Sequence, residues 1–242
     1  ARAAAATFNY VILGTIGASF YLLGVGYVYV KTGTLNMVGI QEVIEAQNLA
    51  DSATMQVAFV FIGLGILIKM AFFPFHAWLP NAYTYAPSAV SAFLAATATK
   101  VFYYVLVRLI FTVFGVAFVF ERMELHLMLA PLSILAMFIG SIAAIFQKDM
   151  KRLLAYSSIA QVGYMTLGLS FANVEGLTGG LVHLFNHALM KGGLFLVVAC
   201  VTFRIGSSKI EDLRGLGRQM PFTMAAFIVG GMSLIGVPGT VG

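Results

Sequence analysis

Charge is what this chain has least of. Only 10% of its 242 residues are Asp, Glu, Lys or Arg, against about 25% in a soluble globular domain. That shortage excludes an ordinary water-facing surface, and the 60% hydrophobic content must find lipid instead. Carboxylates are scarcer still. There are nine (Glu42, Glu45, Asp51, Glu121, Glu124, Asp149, Glu175, Glu211 and Asp212), and all fall in polar segments between apolar runs. The lone cysteine, Cys200, excludes an intrachain disulfide and says nothing about redox compartment. There is no phosphate-binding glycine loop, no CxxC pair and no plausible nucleophile–base–acid triad, so the common soluble enzyme chemistries have no residues to run on. The opening ARAAAATFNY has one charge and runs straight into an apolar stretch, which is not a signal-peptide pattern. With no initiator methionine and a last segment that stops inside an apolar run, residues 1–242 are expected to be a single transmembrane domain from the interior of a longer protein.

What the chain does have is long apolar runs. A membrane helix needs about 20 apolar residues, and seven segments qualify: 8–30, 54–74, 88–110, 128–147, 153–172, 177–203 and 221–242. In lipid each segment must satisfy its own backbone groups, and no alternating period supports strands. The expected fold is therefore all-α, a polytopic transmembrane helix bundle. Two helices are expected to break, one at Pro74 and one at Pro238, because proline removes a donor and clashes with the preceding turn. A break at membrane depth is tolerated where backbone is buried in protein or lines a wet cavity; a simple kink or helix end is the plainer alternative. QEVIEAQ, in the loop over 31–53, reads as a short amphipathic helix.

Orientation follows from the basic residues. With the start of the chain on one side, that side holds Arg2, Lys148, Lys151, Arg152, Arg204, Lys209, Arg214 and Arg218. The other holds Lys31, Arg108 and Arg122. The positive-inside rule then puts the start of the chain on the cytoplasmic side of a cell (inner) membrane. The net charge of +5 is loop charge of this kind and implies no nucleic-acid partner.

Three lysines break the pattern. Lys69, Lys100 and Lys191 lie inside apolar runs with no acid beside them. A lysine near the bilayer centre costs about 3 kcal/mol on insertion scales and is a functional-site signal by default. His183, His187 and Lys191 recur every four residues, which puts them on one helical stripe about 12 Å long. Asn186 flanks the stripe and Thr178 lies farther up the helix. Desolvation makes a buried amine easier to deprotonate, and histidine exchanges protons near neutral pH. These residues, joined by water, are expected to form a proton relay. Two alternatives stand beside it. The polar groups could simply bind helices to one another. The histidine pair could chelate a metal or haem, but a zinc site wants three or four ligands, no other His, Cys or carboxylate lies in a span, and Lys191 would repel a cation. No metal or other cofactor is expected. The pairs Gly63–Gly65 and Gly192–Gly193 read as packing notches, and Trp78, Tyr83, Tyr103 and Tyr104 as anchors at the membrane interface.

Several motifs together resemble a known family. They are Lys69-Met-Ala-Phe-Phe-Pro-Phe-His-Ala-Trp-Leu-Pro80, Ala86-Pro-Ser-Ala-Val-Ser91, Lys148-Asp-Met-Lys-Arg-Leu-Leu-Ala-Tyr-Ser-Ser158 and His183-Leu-Phe-Asn-His-Ala-Leu-Met-Lys191. Nearly the whole chain is similar to the antiporter-like membrane subunits shared by respiratory complex I and the Mrp-type multisubunit cation/proton antiporters. Thr32–Asn36 and Arg214–Arg218 look closest to the D type within the Mrp group. The resemblance implies a fold of about fourteen helices with two inverted five-helix repeats, of which this chain would supply the sixth to part of the twelfth. It implies that Lys69 is the central lysine of the first half-channel, Lys100 the link on the eighth helix, and His183, His187 and Lys191 the second-half residues. The family's fifth-helix glutamate and twelfth-helix ionisable residue would lie outside the chain. The implied function is proton translocation in a multisubunit Na+/H+ antiporter, with other hydrophobic subunits as partners. The alternative is the proton-pumping arm of a complex I-type dehydrogenase or membrane-bound hydrogenase, its redox chemistry held by partner subunits. Either way the resemblance leads one to expect a transporter subunit with no redox centre of its own, whether or not it belongs to a proton-translocating oxidoreductase complex.

Overall fold

Residues 2–242 are described by a computed structural model. The chain is helical almost throughout, and the described residues contain no strand. Helix α1 runs Arg2–Thr32, and the amphipathic helix expected in the following loop is α2, Met37–Ala46. Asn36 caps α2, its side-chain oxygen accepting from Val38 and Gly39, which satisfies amides that have no partner inside the helix. Then come α3 (Ala53–Met70), α4 (Trp78–Tyr85), α5 (Ser88–Arg108), α6 (Leu125–Ile145), α7 (Met150–Ser170), α8 (Val174–Ile205), a single turn α9 (Leu216–Gln219) and α10 (Pro221–Ile235). Two π-helical turns, Leu109–Phe114 and Ala117–Arg122, extend the connection after α5.

Five stretches are long and apolar enough to cross a membrane: Arg2–Thr32, Ala53–Tyr85, Ser88–Phe114, Leu125–Ile145 and Val174–Ile205. The expected seven are not reached on length and composition. The last segment forms a helix of only 15 residues, α10. The other shortfall is α7, which has the length, 21 residues, but is too polar. Its place in the bundle explains why. Fourteen of those residues are buried, against α6 on one side and α8 on the other. A helix lined by protein rather than lipid is free to carry serine, threonine and glutamine.

The two expected breaks take different forms. Helix α3 stops at Met70, Ala71 turns into the left-handed region (φ 57°), and the chain passes through Pro74 and one 3-10 turn into α4. The indole N–H of Trp78 donates to the Ile68 carbonyl at 3.0 Å, serving the opened end of α3. Helix α10 ends at Ile235 on Gly236 (φ 82°), before Pro238. Proline alone does not force a break, since Pro131 lies inside an uninterrupted α6.

Helices α1 and α3 meet through glycine. A Cβ on Gly65 would stand 2.5 Å from the Gly17 carbonyl oxygen, closer than real atoms approach, so the two backbones touch in the way small residues permit. Gly65 is thus the packing notch expected, whereas Gly63 and Gly193 face open space. Of the four aromatic residues expected at the interface, only Tyr104 is on the surface. Tyr83 and Tyr103 are wholly enclosed and Trp78 nearly so. The hydroxyl of Tyr83 donates to the Leu94 carbonyl and that of Tyr103 to the Met165 carbonyl, both at 3.0 Å. A tyrosine whose hydroxyl finds a backbone acceptor can sit in the core, and sequence alone does not reveal the acceptor.

Candidate functional site

Helices α5, α7 and α8 lie side by side in the bundle, and their facing sides carry the polar groups. Lys191 of α8 has no exposed surface. Its amine donates to the Leu154 carbonyl at 2.9 Å and to the Ser157 hydroxyl, both on α7. Ser157 and Ser158 also donate to Leu154, at 3.1 and 3.0 Å. One carbonyl therefore gathers an ammonium and two hydroxyls. This is the position that the Leu-Leu-Ala-Tyr-Ser-Ser run of α7 occupies in space.

One turn back along α8, His187 is fully enclosed, and neither ring nitrogen has a protein hydrogen-bond partner. One turn farther, His183 stacks on it with ring centroids 5.9 Å apart and planes 2° from parallel. His183 Nε2 meets Gln161 Oε1 of α7 at 2.5 Å, and Tyr164 lies edge-on to its ring at 6.2 Å. The expected stripe is real, and α7 supplies what it bonds to.

Lys100 of α5 completes the group. It is almost wholly buried, donates to the Ala95 carbonyl of its own helix, and lies within electrostatic reach of His183, His187 and Lys191. Beside it the Thr99 hydroxyl is buried without a protein partner. No carboxylate is buried among the described residues. The cluster is therefore four bases with polar neutral neighbours and no counter-ion from this chain.

Lys69 stands apart. It is half-buried on the last turn of α3, with no hydrogen-bond partner among the described residues. A Cβ on Gly14 of α1 would lie 3.2 Å from its amine, so the amine is turned towards α1. The break at Pro74 borders a different space, a cavity of about 460 Å3 lined only by apolar residues and Gly63, among them Phe59, Leu67, Phe73 and Met123. Pro238 is exposed. Asn186 is half-buried beside the stripe, and Thr178 is exposed. Among the described residues no three His, Cys, Asp or Glu side chains converge as metal ligands.

Sequence reasoning missed Gln161 and Ser157. Both are ordinary polar residues in a helix that reads as a span, and only the facing of α7 towards α8 gives them meaning. The other half of the same motif has a structural task. Asp149 caps α7 by accepting from the Arg152 amide at 3.1 Å, and it also accepts from the Ser208 hydroxyl. Backbone bonds Met150 N–Ser208 O (2.9 Å) and Ile210 N–Lys148 O (3.0 Å) fasten the segment after α8 to the start of α7.

A bundle of apolar helices enclosing a set of titratable bases defines a polytopic membrane protein with ionisable groups in its interior. The chain belongs to the family described as NADH:quinone oxidoreductase/Mrp antiporter, TM, whose profile matches residues 1–242. It is 46% identical to NADH-quinone oxidoreductase subunit N of Desulforudis audaxviator (strain MP104C) over 242 residues, all of this chain and 47% of that one. It is 34% identical to F(420)H(2) dehydrogenase subunit N of Methanosarcina mazei, covering all of this chain and 50% of that one. Among solved structures, a chain of the Mrp complex from Dietzia sp. DQ12-45-1b superimposes with a TM-score of 0.88 at 27% identity, over 97% of this chain and 42% of that one. The chain thus spans about half the length of the curated relatives it matches. The family resemblance holds. The finer leaning towards the D type of the Mrp group has no support in the names of these relatives, both N subunits.

Proposed function

We propose that this chain is the proton-conducting part of an N-type membrane subunit in a complex I-like dehydrogenase, with protons moving among Lys100, His183, His187, Lys191 and water. The observation that carries the reading is the enclosed cluster itself: three fully or almost fully buried bases on α5 and α8, one half-buried base beside them, and no buried carboxylate. At close range in a low-dielectric interior, a second positive charge works against the first. A proton gained at one base favours release from another, which is what stepwise transfer requires. Lys191 holds the end bonded to Leu154 and Ser157, and His183 the end bonded to Gln161. His187 lies between them on α8, and with no protein partner for either nitrogen it hands a proton on through water or a side-chain rotation.

Lys69 would serve the other half of the path, across α3 and α5, its charge partner supplied from outside this chain. The start of the chain would face the cytoplasm, and other hydrophobic subunits would be the partners. The 46% identity to an NADH-quinone oxidoreductase subunit favours a redox-driven complex, whose electron carriers would reside in those partners.

A cation/proton antiporter of Mrp type, exchanging Na+ for protons, is the second reading. The TM-score of 0.88 to a chain of an Mrp complex favours it. One experiment separates the two and tests both. The full-length protein is reconstituted in its native complex, and proton uptake into vesicles is followed with Lys100→Met and Lys191→Met. Driving by quinone reduction supports the first reading, and driving by a sodium gradient supports the second. Unchanged uptake in both variants at normal assembly rules out the cluster as the path.

A further inference from the structure

Where α1 and α7 begin, three neighbouring cavities share lining residues. The outermost, of about 600 Å3, has Arg2, Lys148, Arg152 and Lys209 in its walls together with Asp149 and Glu211. A second, of about 430 Å3, shares Arg2 and Arg152 with it and adds the amides of Asn9 and Asn81. The third, of about 310 Å3, shares Tyr85 with the other two and is lined mostly by alanine, proline and leucine between α1 and α4. The order along the seam is cationic, then amide-lined, then apolar.

The positive charge at the head is only half neutralised from within: four cations face the two carboxylates Asp149 and Glu211, and none of them forms an ion pair. The one ion pair among the described residues is Arg122–Asp51, at a different place. Asp149 is already committed to the Arg152 amide and the Ser208 hydroxyl. Arg152 Nε is enclosed with no hydrogen-bond partner. The wall of the outermost cavity includes Phe146, an apolar side chain that is 77% exposed. Basic pockets between membrane helices attract anionic headgroups because a phosphate accepts several charge-assisted bonds where water-exposed and apolar surfaces meet.

We propose that this seam is a binding site for one anionic phospholipid, its phosphate held by Arg152 with Lys209 and Arg2, its ester region on the asparagine amides, and one acyl chain along the groove between α1 and α4. Charge and shape both select this occupant. A zwitterionic lipid brings its own cation to a cleft that already has four, a free phosphate leaves the apolar groove unused, and an acidic peptide leaves it unfilled.

The test uses the full-length protein in its complex, washed in detergent and passed into nanodiscs of phosphatidylglycerol or of phosphatidylcholine. Native mass spectrometry counts the retained lipid. The wild type is expected to keep one phosphatidylglycerol per copy that millimolar inorganic phosphate does not displace, and the double variant Arg152→Gln/Lys209→Gln to hold it about thirtyfold more weakly. A photoreactive phenylalanine in place of Tyr85 leaves all the cations intact and is expected to crosslink lipid. Equal retention by the double variant, equal retention of phosphatidylcholine, displacement by phosphate, or crosslinking of Tyr85's replacement to protein instead of lipid would each overturn the assignment.

Discussion

Lys191 is held by two acceptors from a neighbouring helix, and neither is an acid. That distinguishes it from an ion-paired lysine: the carbonyl and hydroxyl accept from the protonated amine without fixing its charge by a counter-ion. Methionine of similar length should keep the packing and lose the proton. Proton uptake by vesicles carrying Lys191→Met is expected to fall by about 10²-fold, the scale of a positioned proton-transfer group, while assembly persists. Gln161 has a separate role as the partner of His183. Gln161→Leu leaves that ring nitrogen without its partner in a half-buried place, a loss of about 1–3 kcal/mol. An earlier thermal unfolding of the purified complex, restored in part by Gln161→Asn, is the expected result. The lysines and histidines were legible because a charged or titratable residue inside an apolar run is conspicuous on its own. Gln161 and Ser157 were not, because a glutamine or serine in a membrane helix acquires a role only from the helix it faces. Tyr83 and Tyr103 were misplaced for the complementary reason, since nothing in their neighbours along the chain announces a carbonyl at 3.0 Å.

Elements show the same division. The long helices other than α10 and the amphipathic α2 follow from hydropathy and period, and the break after Lys69 from Pro74. Pro131 would have suggested another break on the same rule, yet α6 runs through it. The difference is that at Pro74 the chain already reverses hand at Ala71 and has Trp78 positioned to serve the freed end of α3. Removing that indole donor while keeping an aromatic ring, Trp78→Phe, is expected to cost about 0.5–1.5 kcal/mol, the scale of one hydrogen bond, because the Ile68 carbonyl keeps the Ala71 amide at 3.1 Å. The drop should appear as a lowered denaturation midpoint.

At the scale of the whole molecule, the contact of α1 with α3 decides whether the bundle closes on that side. Gly65→Leu would drive a side chain into the Gly17 and Tyr21 backbone. Overpacking of this kind costs about 1–3 kcal/mol or more, so reduced yield of folded protein on size exclusion is the outcome to look for. The ion pair between Arg122 and Asp51 invites the opposite expectation. It is 3.0 Å long, but the side chains are 51% and 79% exposed, and such pairs contribute about 0–1 kcal/mol. Asp51→Asn should leave the midpoint unchanged within error.

The polarity of α7 has a consequence for how the protein is made. Taken alone, that segment partitions poorly into lipid, yet it ends up between two helices that hide its hydroxyls and amide. Only a short turn, 146–149, separates it from α6, so the ribosome delivers the two almost together. The insertion machinery must therefore accept α6 and α7 as one hairpin, or hold α7 at the lateral gate until α8 arrives. The helix that supplies the partners of Lys191 and His183 is thus one whose passage into the membrane depends on its neighbours.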